Sequence, residues 1–359
     1  MTSTETTVER ASIRRENNLN LLRLIAASAV LFSHAFDFQG EHDWFFGYFG
    51  YSGGWLAVSL FFSMSGYLIY NSIMNSRDVR SFTVARCLRI FPGLIVMLLV
   101  TTVLLGLFAS TAAKADFFSS LQTWKYVVGN AVLYVPQYFL PGVFEGNIYK
   151  GVVNGSLWTL RFEFTCYILT LLFFVSGFYK TNKGFVLSTV AIVIAYVAYI
   201  AYGVMAGKQA VVLFDGNSLS KLHRLYFAFF LGVVYAKWEQ SISINLIAVL
   251  VAWIACFVLH DTILTSTLLI VATFLSAFWI AGLRGQVFAA ARKIPDVSYG
   301  IYIYAFPIQQ LLAQMFPHWG PLTNASVGLV LTIIPATLSW YLVEKPALKF
   351  KSVFSRRPK

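Results

Sequence analysis

The chain has 359 residues, of which 58% are hydrophobic and 12% carry a charge. This composition excludes a soluble globular protein and indicates an all-α polytopic membrane protein, because the long apolar stretches leave no room for a separate soluble domain. The formal net charge of +12 would suit a nucleic-acid binder, but the basic residues cluster in short loops and at the chain ends, which is typical of cytoplasmic segments facing anionic lipid, so we expect membrane lipid and no nucleic acid as a partner.

The first apolar stretch runs from Asn18 to Asp37 and approaches the length of about 20 residues that a membrane helix requires. It carries Arg23 and His34, whose spacing is about three helical turns, so both side chains share one face and lie about 16 Å apart along the helix axis. Ionisable residues at membrane depth are costly and mark functional sites. We therefore predict a polar path along this helix; the alternatives are a snorkelling Arg23 and a structural His34.

The distribution of basic residues predicts about ten membrane helices with the N- and C-termini in the cytoplasm. A polar N-terminal tail, residues 1–17, precedes a transmembrane domain over 18–343, and a basic cytoplasmic tail over 344–359 follows it. The predicted spans are about 18–37, 55–70, 90–110, 156–177, 184–204, 222–238, 242–260, 262–283, 298–316 and 322–343.

One segment, residues 111–155, requires a decision because its aromatic-rich apolar run resembles a helix. The run is short and is interrupted by Pro136 and Pro141. Counting it as a span would place Lys180 and Lys183 outside, against the usual distribution of basic residues. We therefore interpret the segment as an outer loop that does not cross the membrane.

Arg86 and Arg89 stand three residues apart where the third predicted span begins. Residues at i and i+3 share a helix face, and two guanidinium forks on one face suit a phosphate group. The alternative is ordinary anchoring of the helix at the cytoplasmic surface. Because Arg89 lies against the apolar run, where an anchor would sit further out, the pattern favours phosphate binding.

Glu163 lies about two turns into the span that begins near residue 156. A carboxylate at that depth requires a partner, and Arg161 or His34 is positioned by the topology to supply one. Asp37 follows His34 by three residues and is a second candidate to orient the imidazole.

Ser156, Trp158 and the three cysteines carry no specific functional signal by themselves. Ser156 fits a helix N-cap and Trp158 an interfacial belt residue. The cysteines, Cys87, Cys166 and Cys256, show no metal-ligand spacing and form no convincing disulfide pair, so no metal site is predicted.

Six short motifs occur in order along almost the whole chain. They are Arg23 with His34, AVSLFFSMSGYLI from Ala57 to Ile69, Arg86 with Arg89, GSLWTL from Gly155 with Glu163 and Tyr167, SYGIYIYAFP from Ser298 to Pro307, and Glu344-Lys345-Pro346. In this order they resemble the acyltransferase 3 family of integral membrane O-acyltransferases, which modify bacterial surface polysaccharides, lipopolysaccharide, peptidoglycan and small molecules.

The resemblance implies an enzyme of the bacterial inner (plasma) membrane that moves an acyl group, acetyl or succinyl, from cytoplasmic acyl-CoA to a hydroxyl of an exopolysaccharide, lipopolysaccharide or related glycan. Acyl-CoA is the donor substrate, and no bound cofactor is expected. His34 would act as general base or accept the acyl group transiently, with Glu163 or Asp37 orienting the imidazole.

The resemblance also implies where the two substrates bind. Arg86 and Arg89 would bind the CoA phosphates from inside, and Arg23 would line the path or hold the pantetheine–phosphate end. The sugar or lipid-linked glycan would bind at the outer face. The residues expected to contact this acceptor are Trp44, Tyr48, Ser156 and Trp158.

Two positions depart from the family pattern. Ser59 stands where the second-helix motif usually has aspartate, and Ala305 stands where the late motif usually has histidine. His34 is retained, so catalysis is expected, with an altered acceptor or acyl preference. The chain carries no further helix with a hydrolase-like domain, which predicts a stand-alone member. The rival interpretations are a transporter of anionic substrates and a flippase-like subunit of a polysaccharide export system.

Overall fold

The computed structural model describes residues 18–76, 78–207, 218–284, 289 and 294–351. Helices make up most of these residues, and no β-strand occurs among them apart from one isolated bridge between Phe139 and Val152. The prediction of an all-α polytopic membrane protein is confirmed. Several predicted cytoplasmic positions lie outside the described ranges: the tail 1–17 with Arg10, Arg14 and Arg15, then Arg77, Arg292, Lys293, and the last residues of the 344–359 tail with Arg356, Arg357 and Lys359.

The helices of the described ranges follow in chain order. They are α1 (Leu19–Asp37), α2 (Trp44–Phe49), α3 (Gly53–Met74), α4 (Val79–Phe108), α5 (Lys114–Ser119), α6 (Leu121–Ala131), α7 (Trp158–Val175), α8 (Asn182–Met205), α9 (Ser218–Trp238), α10 (Leu246–Val258), α11 (Thr265–Ala281), α12 (Ser298–Met315), α13 (Pro321–Ser339) and α14 (Lys345–Lys349). A 3₁₀ turn, Gly155–Leu157, leads into α7, and a π-helical turn, Trp340–Glu344, joins α13 to α14.

Each predicted span coincides with a helix, but the helices differ in how well they suit a membrane. Six stretches of the described residues are long and apolar enough to cross one: α1, α3, α4, α8, the 3₁₀ turn with α7, and the run from α13 through α14. α10 and α11 are apolar but shorter, with 13 and 17 residues, and α9 and α12 contain more polar residues. The number of spans and the side on which each loop lies remain predictions.

The segment between α4 and the 3₁₀ turn contains only short helices. α5 has 6 residues and α6 has 11, well below the length of about 20 that crosses a bilayer. This agrees with the interpretation of residues 111–155 as a non-spanning loop. Gln310 of α12 fixes the segment to the bundle, because its side chain donates to the carbonyl oxygens of Tyr149 at 2.7 Å and Val152 at 2.9 Å, and accepts from Asn147 at 2.7 Å.

α1 lies inside the bundle, packed against α3, α12 and α13. Its small residues allow close approach: Ala27 packs with Ile301 and Ala336, and Ala35 lies in a cluster with Ala305 and Ala325. The polar residues of α1 are therefore held among neighbouring helices rather than facing lipid.

α3 and α9 cross at two glycines, where their backbones touch. A Cβ atom built on Gly66 of α3 would overlap the carbonyl oxygen of Phe229, and one built on Gly232 of α9 would overlap that of Ser63. Backbone atoms cannot move aside as a side chain can, so both positions require glycine. Small residues at a crossing are a common way to pack helices in membranes.

We predict that Gly66→Ala and Gly232→Ala destabilise the protein. Overpacking of this kind costs about 1–3 kcal/mol or more, which a lowered melting temperature of the purified protein in detergent will report. Gly47→Ala in α2 is the matched control, because a Cβ there meets no atom within 4 Å. Equal melting temperatures for Gly66→Ala and Gly47→Ala would show that the crossing is not this tight.

Candidate active site

His34 and Asp37 form a pair at the C-terminal end of α1. His34 Nδ1 lies 3.0 Å from Asp37 Oδ2, as their spacing of one helical turn permits. Because the carboxylate accepts, Nδ1 carries the hydrogen, and Nε2 is left as the basic nitrogen. The imidazole is 24% exposed and the carboxylate 41%, so a substrate can reach the pair.

Two phenylalanines flank the imidazole of His34. The Phe306 ring of α12 meets it edge-on, with ring centroids 5.1 Å apart, and the Phe38 ring lies at 6.2 Å. Phe306 in turn packs against the backbone of Gly155, where a Cβ would lie 2.6 Å from the ring. The motif that begins at Gly155 therefore packs against Phe306, and Phe306 packs against His34.

At the other end of α1, Arg23 and Arg89 share one carboxylate. Asp296 Oδ2 accepts from Arg23 Nη1 at 2.6 Å and from Arg89 Nη2 at 2.7 Å, while Ser298 Oγ donates to the second oxygen at 2.6 Å. Burial would raise the pKa of Asp296, but the two guanidinium groups hold it well below its usual range. The carboxylate is thus ionised at any physiological pH.

Glu344 is the second carboxylate of this cluster. Its Oε2 lies 3.8 Å from Arg89 Nη1, and its Oε1 accepts from Ser339 at 2.9 Å. Arg89 is therefore surrounded by two carboxylates and lies near the rings of Tyr299 and Trp340. The sequence predicted that Arg86 and Arg89 bind one phosphate together. In the structure Arg89 already has anionic partners.

Arg86 stands in a different environment from Arg89. Its Nε atom is buried and has no hydrogen-bond partner in the described part of the chain. Its electrostatic neighbours are Tyr167 and Glu163 and, with like charge, Arg89 and Arg23. A buried guanidinium atom without a partner is costly, and an anionic ligand would relieve this cost. Of the two predicted arginines, Arg86 is thus the one with hydrogen-bonding capacity left over.

Glu163 does not pair with either expected partner among the described contacts. Its carboxylate accepts from the hydroxyl of Tyr167 and, at 3.4 Å, from Ser65. Arg161 instead donates to Ser218 at 3.2 Å. Asp37 is accordingly the carboxylate that contacts the imidazole, and the expectation that Arg161 or His34 partners Glu163 is wrong. The reason is that α7 turns Glu163 towards α3.

A small cavity of about 50 Å³, here called the inner cavity, lies beside Arg23 of α1. Its wall includes Arg23, Arg89, Ser65, Glu163 and Tyr302. Such a volume admits a few water molecules and is too small for a nucleotide.

The predicted acceptor residues lie in contrasting surroundings. Trp44 in α2 is 75% exposed, and Tyr48 stacks on His260 with centroids 4.7 Å apart. Trp158 carries Lys221 over its ring at 4.9 Å.

Ser156 is buried, and it is not the N-cap. Asn154 Oδ1 accepts from the Ser156 backbone N–H at 3.2 Å, so Asn154 caps this turn. The Ser156 carbonyl accepts from Tyr302 at 3.1 Å. These contacts make Ser156 a link between α7 and α12, which the local sequence could not reveal because Tyr302 is 146 residues away.

The two departures from the family pattern occupy packed positions. Ser59 donates to the Trp55 carbonyl at 3.0 Å and accepts from Arg224 at 3.3 Å. Ala305 lies in the apolar cluster that packs α12 against α1. Within the described ranges, no group of three or more His, Cys, Asp or Glu side chains is arranged to hold a metal ion.

Comparison with known proteins gives consistent matches over nearly the full chain. Residues 16–343 match the acyltransferase 3 family, described as "Acyltransferase domain". The chain is 31% identical over 339 residues to the "O-acetyl transferase" of Shigella phage Sf6, covering 93% of this chain and 96% of the relative. It is 30% identical over 371 residues to "Nodulation protein 10" of Rhizobium leguminosarum bv. viciae, with 95% and 96% covered.

More distant similarity extends to a "Putative O-acetyltransferase" of Staphylococcus aureus (strain MSSA476). The identity is 24% over 394 residues, covering 97% of this chain and 60% of the relative. No solved structure matches the chain significantly.

We predict that Asp296→Ala strongly destabilises the protein. Removing one side of a buried ion pair costs about 3–5 kcal/mol, because Arg23 and Arg89 keep their charges without a shared partner. The melting temperature in detergent measures this loss, and Asp116→Ala, at an exposed position of α5, is the control. An equal melting temperature for the two variants would contradict the network.

The same ion-pair network determines how the stability difference between the wild type and Asp296→Asn depends on pH. Since the pKa is lowered below its ordinary 3.8, the stabilisation is present above that value and is lost only as the pH falls through the lowered pKa. The stability difference between the wild type and Asp296→Asn should therefore stay constant from pH 8 to pH 5 in thermal unfolding. A difference that fades over this range would rule out the lowered pKa.

Proposed function

Since the chain belongs to the acyltransferase 3 family, we propose that it transfers an acyl group, acetyl or succinyl, from acyl-CoA to a hydroxyl of a surface glycan. The observation that carries this proposal is the His34–Asp37 pair, with Nδ1 and Oδ2 3.0 Å apart, on the same helix as the arginine cluster. One end of α1 thus offers a base and the other a region of guanidinium groups.

The donor is proposed to bind at the arginine end, which the predicted orientation of α1 places at the cytoplasmic face. Coenzyme A carries phosphates, and of the three arginines at this end, Arg23, Arg86 and Arg89, it is Arg86 whose buried Nε has no hydrogen-bond partner among the described residues. Arg89 and Arg23 lie beside it, already paired with Asp296. They would contribute positive electrostatic potential near the phosphates, while Arg86 would bind a phosphate directly.

The phosphates of CoA and its acyl thioester must then lie about the length of α1 apart. Eleven residues correspond to about 16 Å, a distance that the extended pantetheine arm of CoA can span. The inner cavity, at about 50 Å³, does not admit such an arm as it stands, so donor binding requires the surrounding helices to separate.

His34 is proposed to activate the acceptor hydroxyl. Asp37 holds the Nδ1–H, so Nε2 can take the proton as the hydroxyl oxygen attacks the thioester carbonyl. A C–O bond forms, the C–S bond breaks, and the imidazolium returns its proton to the CoA thiolate. Asp37 stabilises the imidazolium meanwhile, and a route through a transient acyl-histidine uses the same pair.

The names of the relatives and the predicted topology support the proposed acceptor and location. Relatives named as O-acetyl transferase and putative O-acetyltransferase support an oxygen acceptor and an acetyl donor. The His34 end of α1 faces outward in the predicted orientation, which suits a glycan or lipid-linked sugar at the outer face of a bacterial inner membrane.

We expect His34→Ala to abolish glycan acylation while the protein still folds and still binds acyl-CoA. General-base catalysis contributes about 10²–10⁴-fold in rate, and acyl groups per glycan repeat can be counted by mass spectrometry of the surface glycan. His42→Ala is the control, since His42 is an exposed histidine stacked on Phe46. Full acylation in a normally expressed His34→Ala strain would remove the catalytic assignment and favour a transporter or a flippase-like subunit.

We further expect Arg86→Ala to weaken acyl-CoA binding. A lost hydrogen bond to a charged group is worth about 1.5–3 kcal/mol, measurable by titration calorimetry on purified protein, and Arg86→Lys should not restore it because an ammonium lacks the guanidinium fork. The control is Arg80→Ala, at an exposed position of the same helix. Unchanged affinity in Arg86→Ala would exclude Arg86 as the phosphate contact.

A further inference from the structure

A second and larger cavity, here called the outer cavity, opens where the segment after α4 meets the end of α12. Its volume is about 370 Å³, within the range of about 300–1,000 Å³ that is typical of small-ligand sites. The wall comes from the residues that follow α1, from the segment 142–148, and from the end of α12. All of this wall lies at the His34 end of the bundle.

The side chains of the outer cavity are neutral or acidic, with aromatic rings among them. Gln39, Gln314 and Glu145 supply amide and carboxylate groups, and the almost fully buried Phe38 and Phe144 lie behind them in the wall. Among the residues that the structure describes, no lysine, arginine or histidine belongs to the wall. Amides both donate to and accept from hydroxyl groups, and a carboxylate accepts from them. This chemistry suits a neutral ligand rich in hydroxyl groups and does not suit a phosphate.

The wall of the outer cavity is held in place by packing and hydrogen bonds. Phe144 adopts a left-handed backbone conformation, with φ +58°, although its side chain is buried. Such strain in a non-glycine residue persists only where the surroundings impose it, and it concentrates at ligand sites. Asn147, in the same segment, donates to the Gln310 side chain of α12 at 2.7 Å. The cavity is thereby fixed to the helix that carries Phe306.

The outer cavity lies next to the His34–Asp37 pair. Phe38 forms part of its wall, and the Phe38 ring packs on Phe306 with centroids 4.8 Å apart. Four residues separate His34 from Phe38, which is about 6 Å along a helix axis. The wall of the cavity at Phe38 therefore begins about one helical turn beyond His34 along the chain.

We propose that the outer cavity is the subsite that binds a neutral saccharide unit of the acceptor and presents its hydroxyl to His34. This inference rests on the proposed acyl transfer. It assigns acceptor recognition to the segment 142–148 and the end of α12, rather than to the exposed aromatic residues of α2.

The test adds bulk to a residue of the cavity wall. A Cβ built on Gly146 meets no atom within 4 Å, so Gly146→Trp adds bulk at a site that lines the cavity. Ala115→Trp adds the same bulk at an exposed position of α5 outside the wall. A strain lacking the gene is complemented with each variant, surface-glycan acylation is measured by mass spectrometry, and acetyl-CoA binding and melting temperature are measured on purified protein.

We expect Gly146→Trp to lower glycan acylation by about tenfold or more, with unchanged acetyl-CoA affinity and melting temperature, while Ala115→Trp acylates normally. Gln39→Ala combined with Gln314→Ala, which adds no bulk, should lower acylation by about three- to tenfold. Normal acylation by Gly146→Trp overturns the subsite. If that variant does not fold, normal acylation by the double variant overturns it instead.

The same experiment separates this inference from the function on which it rests. If deletion of the gene leaves the glycan acyl content unchanged, the proposed acyl transfer itself is wrong. If deletion and His34→Ala both remove the acyl groups but Gly146→Trp restores them fully, only the saccharide subsite is wrong.

Discussion

One carboxylate oxygen, Asp296 Oδ2, makes the arginine end of this bundle possible. Guanidinium groups among apolar helices are costly unless each is paired, and this oxygen accepts from Arg23 at 2.6 Å and from Arg89 at 2.7 Å. The two bonds join α1, α4 and the residues before α12, which lie far apart in the chain. Without them the first and fourth helices would hold two like charges close together with no partner in common.

α1 and α12 run side by side in the same direction from this junction. Asp296 and Arg23 meet at one end, and Phe306 and His34 meet at the other, 5.1 Å apart between ring centroids. The two helices therefore fix the separation between the arginine cluster and the imidazole. A reaction between a donor anchored at one end and an acceptor bound at the other depends on this fixed length.

The sequence predicted those features that depend on local spacing. The helix positions follow from apolar runs, and the His34–Asp37 contact follows from a spacing of one turn. Partners distant in the chain were not predictable in the same way: Asp296 lies 273 residues from Arg23, and nothing in its local sequence marks it as their shared acceptor. Glu163 was expected to pair with Arg161 or His34. Instead it accepts from Tyr167, one turn further along its own helix, and from Ser65 of α3, a contact that depends on how the helix is rotated in the packed bundle.

The glycine crossing of α3 and α9 restricts where the bundle can open. Helices in backbone contact at Gly66 and Gly232 leave no space between them at this point, so we expect α3 and α9 to move together. α3 forms part of the wall of the inner cavity, and α4 forms another part with Arg89 and Ile90. α4 contains Pro92 three residues after Arg89, and a proline interior to a helix removes one backbone hydrogen bond and favours a kink. Arg89, which Asp296 holds in place, thus lies one turn from the proline at which α4 is weakest.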